Sequence, residues 1–339
     1  MAVRVGINGF GRIGRSFWRV ARGRTDVEVV AVNDLVEPIT LAHLMRYDSI
    51  RGRLGVPVSA GTGHLVADGH SIAVTQHADP MDVPWHAADV DVVLESTGRF
   101  FHADELRAHL AAGARRVLVS MSAPDPDVTL IAGINDHEYD PRIHFVVSPG
   151  CCTTNAVAPL LSVIHRNFGV LTAQWTTIHA YDSTHSALHD IGYRNMRMGR
   201  AAAINLVPSR TRDTTRALTQ AFPDLAGRLE GLAVRVPASI GCAVDLVVRV
   251  RRPSNAASVN AVLAAAAAAE MKGYLGYTEE PIVSADIVGA TESSVVDAAL
   301  TTVVDDTLKV FAWYDNEWGF ANRLVEVAGL IGAGAGKAR

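Results

Sequence analysis

The chain has 339 residues, 49% of them hydrophobic and 19% charged, with a formal net charge of −4. That is the composition of a soluble globular protein, longer than one core of usual size, so two domains are expected. It gives no case for nucleic-acid binding, and no apolar run is long enough to span a bilayer, so neither nucleic acid nor membrane is an expected partner. Three cysteines, two of them adjacent at Cys151 and Cys152, rule against a disulfide framework and fit a reducing compartment. With no signal-peptide pattern at the start, a cytoplasmic location is expected.

A β-branched run, Ala2 to Ile7, leads into Asn8-Gly9-Phe10-Gly11-Arg12-Ile13-Gly14. A helical pattern follows from Arg15 to about Arg22, then a second strand from Val27 to Val32. G-x-G-x-x-G is weak alone, but strand before, helix and strand after are the context of a Rossmann dinucleotide site. The first two glycines, Gly9 and Gly11, allow a tight turn and close approach of a pyrophosphate, whose charge the helix N-terminus stabilises. Asp34 closes the second strand at the spacing of a carboxylate that holds an adenosine ribose. It also repels a 2′-phosphate, so NAD is expected over NADP.

The next stretch is irregular: a helix from Thr40 through Arg46, then short strands at His64 to Ala67 and His70 to Val74. Val90 to Glu95 is a continuous apolar strand that runs into the small-residue loop Ser96-Thr97-Gly98-Arg99-Phe100, of the sort that closes over a cofactor. A helix from Ala103 to Ala112 and strands at Arg116 to Ser120 and Phe145 to Val147 continue the alternation, which implies a mostly parallel sheet. Cys151 and Cys152 come next, before a helical run from Ala156. A thiol in the first turn of a helix feels the positive end of the dipole, so Cys152 is expected to have a lowered pKa and to lie at a strand end beside the cofactor crevice.

Beyond Asn167 the pattern changes to long strands, Leu171 to Ala180, Leu232 to Val236, Ala243 to Arg252 and Thr302 to Ala312. Helices at Asp213 to Ala221 and Ser258 to Met271 separate them. This predicts an α+β domain with a large antiparallel or mixed sheet. The Ala-rich stretch from Ala261 reads as a surface helix. Tyr181 to Arg210 reads as a long functional segment. His185 and His189 within it have no third ligand at metal-site spacing, so no metal is expected. A last helix, Asn322 to Ile331, precedes a Gly/Ala tail expected to fray.

Three stretches carry a resemblance: Asn8 to Arg15, Cys152-Thr153-Thr154-Asn155, and Trp313-Tyr314-Asp315-Asn316-Glu317-Trp318-Gly319. Together with Thr176 to Tyr181 and Arg235-Val236-Pro237 they resemble the phosphorylating glyceraldehyde-3-phosphate dehydrogenase family over essentially the whole chain. The resemblance implies an NAD-binding domain at residues 1–150 completed by a C-terminal helix at 319–335, and a catalytic domain at 151–318. It also implies a homotetramer and a place in glycolysis. Cys152 would be the nucleophile and His179 its base, passing through a hemithioacetal and a thioester. The backbone N–H of Cys152, with His179 as a second donor, would steady the oxyanion. Gly9, Gly11, Arg12, Ile13, Gly14, Asp34, Ser96, Thr97 and Ser120 would line the cofactor, with Asn316 orienting the nicotinamide. Thr153, Asp182, Thr211, Arg212 and Arg235 would line the aldehyde substrate, with inorganic phosphate as a further partner.

This sequence departs from the family where phosphate binds. Asp182 stands where a phosphate-binding Thr is usual, Met198 (flanked by Arg197 and Arg200) where an Arg is usual, and Cys151 where a Ser precedes the nucleophile. Ser209 to Asp213 replaces a Thr-Gly turn, and Phe320 replaces a Tyr. A carboxylate within about 4 Å of a dianion costs roughly 2 to 8 kcal/mol at dielectric constants near 80 to 20, unless an arginine pairs it. Three outcomes are therefore open: arginines of the 209–213 loop rebuild the anion sites, Asp182 recognises a different aldehyde, or Asp182 points to solvent. Phe320 to Arg323 resembles erythrose-4-phosphate dehydrogenase, making hydrolysis of the thioester the alternative outcome. An alternative of another class is a non-catalytic NAD-binding protein, against which intact Cys152, His179 and Asn316 argue.

Overall fold

A computed structural model describes residues 2–182, 196–252 and 254–335, and the His185 and His189 pair lies outside them. The chain divides into two compact units, one of residues 1–150 with 321–339, the other of residues 151–320.

In the first unit β1 (Val3–Asn8), α1 (Arg12–Ala21), β2 (Val27–Asn33) and α2 (Pro38–Arg46) open the chain. A two-residue ladder, β3 (Tyr47–Asp48) with β4 (Gly52–Arg53), precedes the meander β5 (Val58–Gly61), β6 (His64–Ala67) and β7 (His70–Thr75). Then come β8 (Val92–Glu95), α3 (Ala103–Ala111), β9 (Arg116–Val119), β10 (Val128–Thr129) and β11 (Val146–Ser148). They form a sheet in the order β10-β11-β9-β8-β1-β2-β7-β6-β5. From β10 to β7 every pairing is parallel, and β6 and β5 add an antiparallel edge. Parallel strands are covered on both faces, and accordingly every residue of β8 and β9 is buried. Strand order reverses at β1, which β2 and β8 flank. That reversal is where open α/β sheets bind ligands, beyond the carboxyl ends of the strands.

The second unit contains α4 (Cys152–Phe168), β12 (Val170–Ala180), β13 (Val207–Arg210), α5 (Arg212–Ala221), β14 (Leu229–Val236) and β15 (Cys242–Val250). It continues with α6 (Ala256–Ala268), β16 (Leu275–Thr278), β17 (Ser294–Val304) and β18 (Thr307–Tyr314). Its sheet runs β13-β14-β12-β15-β18-β17-β16. The sheet is mixed: β12 with β14 and β16 with β17 are parallel, the remainder antiparallel. The last helix, α7 (Trp318–Ala335), returns to the first unit, where Tyr139 donates from its hydroxyl to Ile331 O at 3.2 Å.

Several boundaries differ from the sequence expectation. The run Thr302 to Ala312 is a hairpin, β17 turning into β18 at Asp305, which adopts a left-handed φ of 52°. α1 begins at Arg12, not Arg15. Gly14 does not delay it, because a side chain there would come 2.5 Å from Gly9 O. The Gly/Ala tail does not fray at once. The helix continues to Ala335, with Gly332 so close to Val3 that a Cβ would lie 2.1 Å from it.

Candidate active site

The three glycines of the first turn serve three different ends. Gly9 has φ +89°, and a Cβ there would meet Thr97 N at 2.7 Å. Gly14 lies against Gly9 O, which draws α1 onto the turn. At Gly11 a Cβ would meet nothing within 4 Å, so the missing side chain leaves open space where the backbone can be approached. Gly11 caps α1 without a side-chain hydrogen bond, and the first turn, with Arg12 and Ile13, carries no acidic residue. Such a helix start offers N–H groups and a positive dipole end to an anion.

A cleft of about 370 Å³ opens beside this turn, lined among others by Gly9, Gly11, Asp34, Ser96, Thr97 and Arg99. Ser96 donates from Oγ to Gly9 O at 2.7 Å. Asp34 is not free: its Oδ2 accepts from Phe10 N at 2.7 Å and its Oδ1 from Val36 N at 3.1 Å. The carboxylate therefore ties the end of β2 to the glycine turn while lining the cleft. Ser120 follows β9 and donates its N–H to Glu95 O at 2.9 Å; it does not line the cleft. These residues fit a dinucleotide: an uncapped helix start, a glycine with open space, and a carboxylate at the second strand end.

Beneath the cleft lies a buried polar network that sequence reasoning missed. Glu95 and His109 have fully buried side chains. Glu95 accepts from Asn8 Nδ2 at 2.6 Å, Thr97 N at 2.8 Å and His109 Nε2 at 3.1 Å. Indole can only donate, so the 3.0 Å contact from Trp85 Nε1 makes His109 Nδ1 an acceptor and leaves the proton on Nε2. The one signal in the sequence is a carboxylate closing an otherwise apolar strand.

In the second unit Cys152 is the first residue of α4, and Cys151 is its N-cap. The helix starts four residues before the expected Ala156. Cys151 N donates to Thr154 Oγ1 at 3.2 Å, and Asn155 Nδ2 donates to Cys151 O at 2.9 Å, so polar residues hold the first turn. Cys151 Sγ also lies 3.3 Å from Thr214 Oγ1, which joins the first turn of α4 to that of α5. Two helix N-termini thus converge, a favourable setting for an anion. Thr211 is the N-cap of α5 and Arg212 its first residue, so the expected 209–213 loop is a strand-to-helix junction. Arg210 lines a different cleft with Thr176, Glu230 and Asp245. Alternation along β12 sets Thr176 on the sheet face opposite His179.

His179 is the penultimate residue of β12 and is buried. Its Nδ1 lies 2.6 Å from Ala180 O. A carbonyl only accepts, so Nδ1 carries the proton and Nε2 of the neutral ring is an acceptor. That Nε2 faces Cys152 Sγ at 3.4 Å. The geometry sets a thiol against an imidazole nitrogen that, in the neutral ring, can take its proton. The expected depression of the Cys152 pKa is not found. A hydrogen bond with the Cys151 sulfur, then burial, hold the Cys152 thiol well above the ordinary range. The same hydrogen bond, helped by the Thr154 and Thr214 hydroxyls, pulls Cys151 well below it.

Around this pair, Thr153 Oγ1 lies 3.3 Å from the Tyr314 hydroxyl, and Arg235 is the register partner of His179 across β12 and β14. Arg235 Nη2 is 3.3 Å from Asp182 Oδ2, so Asp182 does not simply point to solvent. Arg197 and Arg200, which flank Met198, line a cleft of about 180 Å³ with Asn205 and Pro208. Among the buried polar atoms without a hydrogen-bond partner in the described residues are Asn316 Oδ1, Thr211 Oγ1 and Arg235 Nε. Unsatisfied buried groups need a reason, and three site candidates from the sequence carry them. No cluster of three His, Cys, Asp or Glu among the described residues could hold a metal.

A glycine-turn nucleotide domain and a domain with a thiol paired to an imidazole are the parts of an NAD-dependent dehydrogenase. Comparison with known proteins specifies the family. Residues 3–103 match the glyceraldehyde 3-phosphate dehydrogenase NAD binding domain, and residues 151–316 match the glyceraldehyde 3-phosphate dehydrogenase C-terminal domain. Glyceraldehyde-3-phosphate dehydrogenase 2 of Streptomyces avermitilis is 45% identical over 334 residues, covering 98% of this chain and 99% of that protein. Glyceraldehyde-3-phosphate dehydrogenase of Geobacillus stearothermophilus is 45% identical over 332 residues, covering 98% of each. That of Mycobacterium avium is 44% identical over 339 residues, covering 98% and 99%. The chain belongs to the glyceraldehyde-3-phosphate dehydrogenase family. NAD is its cofactor.

Proposed function

We propose that the protein oxidises glyceraldehyde 3-phosphate with NAD and inorganic phosphate to an acyl phosphate, using Cys152 as nucleophile. The observation that carries this reading is the 3.4 Å approach of Cys152 Sγ to the acceptor nitrogen of His179. Sulfur adds to the aldehyde carbon while the thiol proton moves to Nε2, and the hemithioacetal oxygen takes a proton in turn. The N–H of Cys152, at the start of α4, supports the developing oxyanion. When bound, NAD supplies the hydride acceptor that converts the hemithioacetal to a thioester. A phosphate oxygen then attacks the thioester carbon and expels the Cys152 sulfur.

In this reading Gly9, Gly11, Arg12, Ile13, Gly14, Asp34, Ser96, Thr97 and Ser120 serve the dinucleotide, and the unpartnered Asn316 Oδ1 accepts from the nicotinamide carboxamide. Thr153, Asp182, Thr211, Arg212 and Arg235 serve the substrate. Domains at 1–150 with 319–335 and at 151–318, a homotetramer, a cytoplasmic location and a place in glycolysis belong to the same proposal. No helix among the described residues is long and apolar enough to cross a membrane. The names of the relatives favour glyceraldehyde 3-phosphate as the substrate over erythrose 4-phosphate, and a dehydrogenase over a non-catalytic protein.

The test is NADH absorbance with glyceraldehyde 3-phosphate, with and without phosphate. Turnover is expected to require phosphate and to vanish in Cys152→Ala, which still binds NAD. Phosphate-independent turnover would replace phosphorolysis by hydrolysis, and activity retained in Cys152→Ala would remove the nucleophile.

A further inference from the structure

Parallel pairing of β12 with β14 sets Arg235 beside His179. The Arg235 charge reaches Cys152, where it works against the burial that raises the thiol. An aldehyde whose anionic tail enters this site therefore comes under the field of that guanidinium.

A carboxylate already holds it. Asp182, two residues beyond the end of β12, has its Oδ2 3.3 Å from Arg235 Nη2, with side chains 20% and 17% exposed. An arginine and a carboxylate can form two parallel hydrogen bonds at shorter distance. Here the contact is long and runs through Nη2, while Nε stays buried without a partner among the described residues. The cation is thus only partly satisfied. Its hold on Asp182 is loose enough to be exchanged for a better acceptor.

We propose that Asp182 is a specificity-determining residue, an internal carboxylate that occupies Arg235 until the phosphate of the substrate displaces it. The inference rests on the phosphorylated-aldehyde reading and deepens it. An entering dianion meets a positive and a negative charge together, so its net attraction to the site is smaller than toward Arg235 alone. An uncharged aldehyde suffers no such penalty. Asp182 therefore narrows the preference for phosphorylated over plain aldehydes, and it does so through binding, not through the chemical step.

The experiment compares wild type with Asp182→Asn, which keeps the shape and removes the charge, on purified NAD-loaded protein. The ratio of kcat/KM for glyceraldehyde 3-phosphate to that for unphosphorylated glyceraldehyde is expected to rise about tenfold, carried by KM. Asp182→Thr is expected to move it the same way. A second readout needs no turnover: the inorganic phosphate concentration that half-protects Cys152 from iodoacetamide falls about tenfold in Asp182→Asn. Either readout left within about twofold of wild type, or moved the other way, overturns the proposal. If neither protein turns over glyceraldehyde 3-phosphate, the functional reading fails, and phosphate protection still decides whether Asp182 occupies Arg235.

Discussion

Two sulfurs on successive residues share the N-terminus of α4, and their surroundings divide the work between them. Cys151 is the cap, with hydroxyls of Thr154 and Thr214 at 3.4 and 3.3 Å. Cys152 has His179 Nε2 at 3.4 Å, and the neighbouring sulfur and burial both oppose its charge. In the reading proposed above, the thiol proton passes to His179 Nε2 as the sulfur attacks. The third thiol, Cys242, is pushed up to about 12 by burial and takes no part. Replacing Cys151 by serine removes the sulfur that raises Cys152, so the expected sign is a fall in its pKa. In Cys151→Ser the pH midpoint for alkylation of Cys152 by iodoacetamide should move down by about one unit, a change of about 1.4 kcal/mol between its two protonation states. A midpoint that stays put or rises would show that Cys151 does not set it.

At the scale of elements, β1 and β8 are held in step at their carboxyl ends by the carboxylate of Glu95. It gathers Asn8 from one strand end, Thr97 from the loop and His109 from α3. In Glu95→Ala those donors lose their common acceptor inside the protein, where no water replaces it. The expected loss of unfolding free energy is at least about 2 kcal/mol in urea denaturation, since each buried donor left without an acceptor costs about 1 to 3 kcal/mol. NAD affinity, read by titration of the folded variant, should fall too, since Asn8 and Thr97 line the cleft. A loss below about 1 kcal/mol would mean that the network is not a structural centre.

The same elements show what a sequence can and cannot disclose. Gly9, Gly11 and Gly14 between strand and helix were legible, because special backbone geometry restricts residue choice. Cys152 and His179 were legible as motif members. Their 3.4 Å separation was not, since it depends on the β12 register and on where α4 begins. That start was hidden because Thr153, Thr154 and Asn155 are poor helix formers, rescued here by side-chain contacts to Cys151. The β17–β18 hairpin was hidden because Asp305 takes a left-handed turn without a glycine to announce it. The protonation preference of the two cysteines comes first from the contact between their sulfurs and from burial, and for Cys151 also from Thr214, far along the chain, which no local pattern shows.

At the scale of the whole molecule, the sheet of the catalytic unit raises the question of what covers its second face. α4 packs on β12, β15 and β17, α5 on β14, and α6 on β16 and β17. Alternation sends His179 and Thr177 to the buried side and Ile178 to the other. There Ile178 and Leu232 are each 40% exposed, and Val247 36%. They lie on one face of the adjacent strands β12, β14 and β15, beside the cleft lined by Thr176, Arg210, Glu230 and Asp245. Burying such a face between identical chains is the simplest closed solution, since a two-fold interface needs one self-complementary patch. Light scattering on wild type should give the mass of four chains, the assembly proposed above, with this face as one of its interfaces. Ile178→Asp places a charge on this face and should reduce the mass to that of two chains or one. A burial of this kind stabilises by about 25 cal/mol per Å² of apolar area, so the variant should also melt at a lower temperature that depends on protein concentration. Wild type running as a monomer would refute the tetramer. A tetramer indifferent to Ile178→Asp would move the interface off this face.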